Sequence, residues 1–177
     1  MSADEGKIVS IAAGCQLSFI DITSSHLLSS PPMDELIVKK LVPHAHAPEK
    51  ATEGDLGFDL FCSHSTTIAP GQTIAVPTGI ALQFPQGWGA VIKDRSSMAL
   101  KQIHISAGVI DNGYRGEIKV AMTNHSKEET VIDAGQKMAQ LIPVPVTNWV
   151  VRVAEKLSAT RRGHGGFGST GSHGPRK

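Results

Sequence analysis

The sequence predicts an all-β protein, a sandwich or barrel of short strands. Three observations predict it. Between Met33 and about Glu155, short apolar runs are separated by turn signals every ~8–12 residues. In "GEIKVAMTN", Ile118, Val120 and Met122 alternate with Lys119 and Ala121, the period of a half-buried strand. Asn112-Gly113 marks a two-residue hairpin, because both central positions of a type I′ turn need positive φ. No window of ~12 residues carries an amphipathic helix.

The elements follow in order. Residues 1–32 read as an N-terminal extension: "SSHLLSSPP" is rich in Ser and Pro, and "LSFIDI" before it is a candidate edge strand. The core is expected over residues 33–155. "ELIVKKLV" opens it as a β-favouring run. "TIAVPTGIALQFP" holds apolar residues broken by Pro77 and Gly79. "WGAVIK" follows, then "DRSSMALKQ", which has room for one short turn of helix. "IHISAGVI" enters the Asn112-Gly113 hairpin and "YRGEIKVAM" leaves it. "MAQLIPVPV" and "WVVRVAEK" complete the strand set. From about Lys156 glycine takes over, so residues 156–177 read as an arm, mobile when free.

Composition narrows the function. A chain of 177 residues suits one domain with extensions. Net charge is +1, so no broad basic field points to nucleic acid. Aromatic residues make up only 5%, so Val, Ile, Leu, Met and Ala must build the core. Cys15 and Cys62 form no ligand-spaced cluster and read as reduced thiols. No apolar run approaches the ~18 residues of a membrane span. "MSADEGKIVSIAAG" is acidic before a very short apolar patch, unlike a signal or transit peptide. The expected location is the cytoplasm, with a nuclear or viral setting left open.

The arm carries two decoys. Gly163, Gly165 and Gly168 spell G-x-G-x-x-G, but a dinucleotide loop needs a strand before it and a helix after it. "GHGGFGST" approaches a P-loop, yet Ser169 stands where the lysine belongs and no helix can follow. The local chemistry survives both exclusions. Glycine N–H groups can converge on an anion, Ser169 and Thr170 add hydroxyls, and Arg162 adds a guanidinium. A solvated linker is the plainer alternative. Phe167 argues against it, because a lone Phe in such an arm suits docking on a flat group such as a base.

The richest stretch is "KDRSSMALKQIHISAGVIDNGYRGEIKVAM". Arg95, Ser96 and Ser97 offer one guanidinium and two hydroxyls, an oxyanion site or a plain surface triplet. Asp111 and Tyr114 flank the turn, where a polar tip is the structural alternative. Gln140 is a polar residue in an apolar strand, either buried and bonded to backbone or facing a ligand. His44 and His46 lack further clustered ligands and read as a solvated loop.

The order of these pieces resembles the trimeric dUTP pyrophosphatase (dUTPase) family. Its five motifs match "GDLGFDL" (Gly54 to Leu60), "DRSSMA" (Asp94 to Ala99), "GVIDNGYRGE" (Gly108 to Glu117), "AGQKMAQLI" (Ala134 to Ile142) and "RGHGGFGSTG" (Arg162 to Gly171). The third and fifth together are highly specific; the first and fourth alone would be weak. The resemblance implies a jelly roll or distorted β-barrel subunit, a homotrimer with active sites shared between subunits, and a C-terminal arm that closes over a neighbour's site. About a dozen extended residues beyond Glu155 would span ~40 Å.

The resemblance also implies chemistry. Asp111 would be the general base for water attacking the α-phosphorus of dUTP, giving dUMP and diphosphate. That reaction keeps uracil out of DNA and supplies dUMP for thymidylate synthesis. Arg95, Ser96 and Ser97 would bind phosphate, with Gln140 nearby. Backbone groups around Gly108, Val109, Ile110 and Lys119 would read uracil, and Tyr114 would pack on deoxyribose. Arg162 would meet the γ-phosphate, Phe167 would stack on the base, and Gly168 and Ser169 would bind phosphate. Mg²⁺ would ride on the triphosphate, with Asp59 holding one of its waters.

There are departures. Asp94 stands where the family commonly has proline, and it is expected to point away from Arg95. Gln136 replaces a frequent acid, with little consequence expected. Residues 1–32 have no counterpart in the family core and are the place for a protein partner. No direct nucleic-acid or membrane partner is expected. A dCTP deaminase or bifunctional deaminase is the enzyme alternative, but its catalytic glutamate would fall at Ala121, and dCTP deaminases lack the glycine arm. A regulatory binding protein on the same fold is the other.

Overall fold

The computed structural model describes residues 35–165. Ten strands and one helical turn follow in order: β1 (Ile37–Lys40), β2 (Phe58–Phe61), β3 (Thr66–Ile68), β4 (Thr73–Gln83), β5 (Trp88–Asp94), α1 (Ser96–Ala99), β6 (Ile103–Ala107), β7 (Val109–Ile110), β8 (Glu117–Asn124), β9 (Thr130–Ile132) and β10 (Lys137–Pro145). They form two four-stranded sheets, ordered β1-β4-β8-β6 and β2-β10-β5-β7, and a ribbon of β3 with β9. Every strand pair is antiparallel. This is the all-β, jelly-roll fold that the sequence predicts.

The alternation in β8 sets the core. Ile118, Val120 and Met122 are fully buried, while Lys119 between them is exposed. They meet Val76, Ile80 and Leu82 of β4, and Leu60, Ile92, Met138 and Leu141 of the other sheet, in one apolar cluster. Fully burying such side chains contributes roughly 1.5–3 kcal/mol each, and this cluster holds the two sheets together.

Three expectations change. The run "TIAVPTGIALQ" is one strand, β4, continuous through Pro77 and Gly79. Its register against β8 shifts between Pro77 and Ala81, a bulge that accommodates the missing N–H of Pro77. Gly79 sits in the bulge at φ 68°, where a Cβ would lie 2.7 Å from Val42 Cγ2. Thr78 Oγ1 donates to Ile118 O at 2.6 Å, stitching β4 to β8 there.

The tight hairpin does not form. "IHISAGVI" divides at Gly108: β6 pairs with β8, but β7 pairs with β5 in the other sheet. Neither Asn112 nor Gly113 takes a positive φ, so the turn is not type I′. Asp111 O instead accepts from Tyr114 N at 3.1 Å. The cause is the Asn112 side chain, whose Nδ2 donates to Pro85 O at 2.7 Å and Trp88 O at 2.6 Å. That tether satisfies the Asn amide away from its own turn.

The strand expected at "WVVRVAEK" is also absent. The last strand ends at Pro145, and Trp149, Val150, Val151, Val153 and Leu157 are 85–95% exposed. β propensity alone holds no strand without a neighbour to complete its ladder. The readings of residues 1–32 lie outside the described residues.

Candidate active site

Three of the five motifs converge on Asp59. This carboxylate lies on β2 and is buried. Arg95 Nε reaches its Oδ1 at 3.1 Å, and Lys137 Nζ reaches its Oδ2 at 3.0 Å. Lys137 also pairs with Glu49 at 2.9 Å, and Arg95 Nη1 donates to Lys137 O at 3.2 Å. The hydrogen bonds that Lys137 donates, first to Glu49 and then to Asp59, push its ammonium above its ordinary lysine value. It is therefore charged throughout the neutral range.

The sheet makes this convergence. β10 lies between β2 and β5, and Gln140 stands opposite both Asp59 and Lys93. Directly opposed residues share a face, so half-buried Gln140 sits beside Asp59. Arg95 follows β5 with extended backbone, φ −82° and ψ 140°, and its side chain reaches past β10 to β2. Ser96 and Ser97 then open α1 with exposed side chains, while Met98 anchors the turn in the core. Asp94 points away from Arg95, as expected: His104 Nδ1 lies 2.8 Å from its Oδ2 and Ile105 N donates to its Oδ1 at 2.7 Å.

The third motif makes a second group. The β6–β8 ladder ends at Ala107↔Ala121. Beyond it, β7 joins β5 while β8 continues along β4, so the backbones of Gly108 and Lys119 belong to different sheets. Gly108 makes that departure possible. Its O accepts from Ile92 N at 2.7 Å, and a Cβ there would lie 2.7 Å from Ile92 O. Val109 is exposed and Ile110 half-buried. Asp111 is exposed on the turn beyond. Tyr114 lies across Gly116 and donates its hydroxyl to Glu117 O at 3.1 Å. Lys119 Nζ pairs with Glu117 at 3.5 Å.

Among the described residues, no hydrogen bond or ion pair joins the Asp111 turn to the Asp59–Arg95–Lys137 group. Arg162 is exposed and donates to Gly165 O at 2.9 Å. Phe167, Gly168 and Ser169 lie outside the described residues. Among the described residues, no three His, Cys, Asp or Glu side chains gather to hold a metal ion.

Two functional candidates escaped the sequence reading. In the sequence, Lys137 has the look of any solvated charge at a strand start. Its signal was its place in "AGQKMAQLI". Asn112 reads as a turn former, and nothing local marks it as the tether of the Asp111 turn.

Two antiparallel sheets packed on one apolar core, with a guanidinium and an ammonium held on a buried carboxylate, define a class: a jelly roll with a built polar cluster beside an exposed Ser-Ser turn. The comparisons make the class particular. The dUTPase family model matches residues 43–171. The deoxyuridine 5'-triphosphate nucleotidohydrolase of Hydrogenobaculum sp. (strain Y04AAS1) is 46% identical over 141 residues, covering 77% of this chain and 98% of its own. The dUTPase of Staphylococcus bacteriophage 80alpha with dUpNHpp superposes with a TM-score of 0.73 at 27% identity, over 78% of this chain and 99% of that one. A variant of the dUTPase from phage phi11 of S. aureus, whose structure describes coordination of a structural Mg(II) ion, shares the fold with a TM-score of 0.66 at 24% identity, over 71% and 99%. The chain belongs to the dUTPase family.

Proposed function

We propose that the chain works as a homotrimer, in which the Asp111 turn of one copy faces the Arg95–Ser96 turn of another. Its reaction is that of the family: dUTP is hydrolysed to dUMP and diphosphate. The observation that supports the catalytic reading best is the buried Asp59 carboxylate fixing Lys137 and Arg95, the residue directly before the exposed Ser96 and Ser97. A fixed guanidinium can stabilise charge that grows on the phosphates without reorganising as it grows.

In this reading Asp111 accepts a proton from water as its oxygen forms a bond to the α-phosphorus. The bond from the α-phosphorus to the bridging oxygen breaks, and its electron pair leaves with diphosphate. Arg95, Ser96 and Ser97 hold the phosphates and Ser96 donates toward that bridging oxygen, with Gln140 alongside. Arg162, Gly168 and Ser169 close on the phosphates from the arm, and Phe167 covers the base. A carboxylate is a weak base, so positioning supplies much of the acceleration.

Uracil enters a cleft where the chain leaves β8 between β6 and β7. Backbone at Gly108, Val109, Ile110 and Lys119 meets the base, and Tyr114 lies against the sugar, leaving no room for a 2′-hydroxyl. Ala121, where a deaminase would carry glutamate, brings only a methyl group.

The donor set fits a Mg²⁺ carried by phosphate oxygens and water rather than by a protein cage. Each Asp59 oxygen meets one cation and keeps acceptor capacity, so Asp59 can accept from a metal-bound water. Bound there, the ion would neutralise phosphate charge.

Sharing of sites fits two groups that no described hydrogen bond or ion pair joins within one chain. The exposed apolar strip from Trp149 to Leu157 supplies surface for association between copies. We place the protein in the cytoplasm, with residues 1–32 available to a protein partner. Mixing tests the sharing. Asp111→Asn and Arg95→Ala proteins, each inactive alone, should regain turnover when unfolded and refolded together. Failure of the mixture, with trimers formed, would place each site within one copy.

A further inference from the structure

Asp94 ends β5, and its backbone pairs with Ala139 of β10 in one sheet. Its side chain serves the other sheet. Both carboxylate oxygens bind β6: Oδ2 faces His104 Nδ1 at 2.8 Å, and Oδ1 accepts from Ile105 N at 2.7 Å. β6 is an edge strand, so the Ile105 N–H gains a partner that no neighbouring strand supplies. His104 is itself braced. Its ring meets that of His125 edge-on with centroids 5.5 Å apart, and His125 N donates to Gln102 O at 2.8 Å.

The next residue is Arg95. It is extended, and α1 begins after it with no side-chain cap. Local helix chemistry therefore does not fix where the Arg95–Ser96–Ser97 turn sits. Met98 holds its far side in the core, and the Asp94 carboxylate holds its near side. A two-point bond from a carboxylate to a side chain and a backbone amide of another strand restricts rotation as well as distance.

We infer that Asp94 is a positioning residue for the phosphate-binding turn, and that His104 is its partner across the two sheets. This rests on the reading of Arg95 and Ser96 as phosphate ligands. Losing the Asp94 bonds leaves Arg95 paired with Asp59 and loosens only the backbone of the turn, which weakens contacts made to ground state and transition state alike, so its signature is in KM more than in kcat.

The test is steady-state hydrolysis of dUTP in Mg²⁺ by the full chain and four variants. Asp94→Ala removes both bonds and should raise KM about tenfold while kcat falls less than about threefold. His104→Phe removes one bond and should raise KM about threefold. His104→Asn restores a polar group near the Nδ1 position and should return KM to within about twofold of the parent. Arg95→Ala is the reference. If it leaves KM and kcat unchanged, the phosphate-binding reading itself fails. If it is crippled while Asp94→Ala and His104→Phe keep the parent KM and lose only thermal stability, Asp94 merely seals an edge and the inference is overturned. Should Asp94→Ala not fold, the His104 pair decides: Asn no better than Phe also overturns it.

Discussion

Arg95 and Asp59 stand on opposite sides of β10 and meet over it, Nε to Oδ1 at 3.1 Å. Asp59 is buried whereas Arg95 is partly exposed, so the carboxylate is the fixed member and the guanidinium the presented one. Lys137 holds the other oxygen and keeps the carboxylate from turning. Removing Asp59 takes the carboxylate from both cations and leaves Lys137 only Glu49 and Arg95 only the Lys137 carbonyl. Asp59→Ala should lower stability by about 1–3 kcal/mol and kcat/KM by about a hundredfold. Thermal unfolding and dUTP turnover measure the two effects. Unchanged turnover would separate this ion pair from catalysis.

Asn112 should matter through Asp111. Asn112→Ala loses the bonds to Pro85 O and Trp88 O and should cost about 1–3 kcal/mol. With the turn loosened, kcat should fall about tenfold while dUTP binding by calorimetry changes less. A loss confined to binding would contradict this.

Gly108→Ala should close the cleft or unseat β7. The added Cβ meets Ile92 O at 2.7 Å and Ile92 Cβ at 3.0 Å. Overpacking of this kind costs about 1–3 kcal/mol. The expected readout is a lower melting temperature together with a raised KM for dUTP.

Cys62 should be inert near neutral pH. Burial, chiefly, raises its thiol above the ordinary value of 9.0. The folded state therefore disfavours the thiolate. Its contribution to stability is full below pH 9.0 and declines as pH rises beyond it, because the unfolded chain then loses the proton first. In a Cys15→Ser background, a thiol reagent should label Cys62 only as fast as the protein opens. Rapid labelling of the native protein would show that the core around Cys62 is not closed.

Much of this was legible in the sequence because it is local. The alternation of Ile118, Val120 and Met122 names the buried face of β8, and "DRSSMA" reads as a short turn. What was not legible depends on partners far away in sequence. Asn112-Gly113 has the composition of a type I′ turn, but β7 pairs with β5, and the Asn amide leaves for Pro85 and Trp88. Pro77 reads as a break until β8 is seen to absorb it in a bulge. "WVVRVAEK" has strand propensity and no described neighbour. In the site, Arg95, Ser96 and Asp111 were named by motif and residue chemistry. Lys137 was not, because its importance lies in Asp59, brought beside it by the β2–β10 ladder.

The central claim is dUTP-selective hydrolysis driven by Asp111. The most direct measurement is diphosphate release from dUTP, UTP, TTP and dCTP in Mg²⁺, by the parent protein and by Asp111→Asn. The account predicts fast turnover of dUTP alone, reduced by at least about a thousandfold in Asp111→Asn while dUTP still binds. Equal rates on the four nucleotides, or an Asp111→Asn protein as active as its parent, would contradict it.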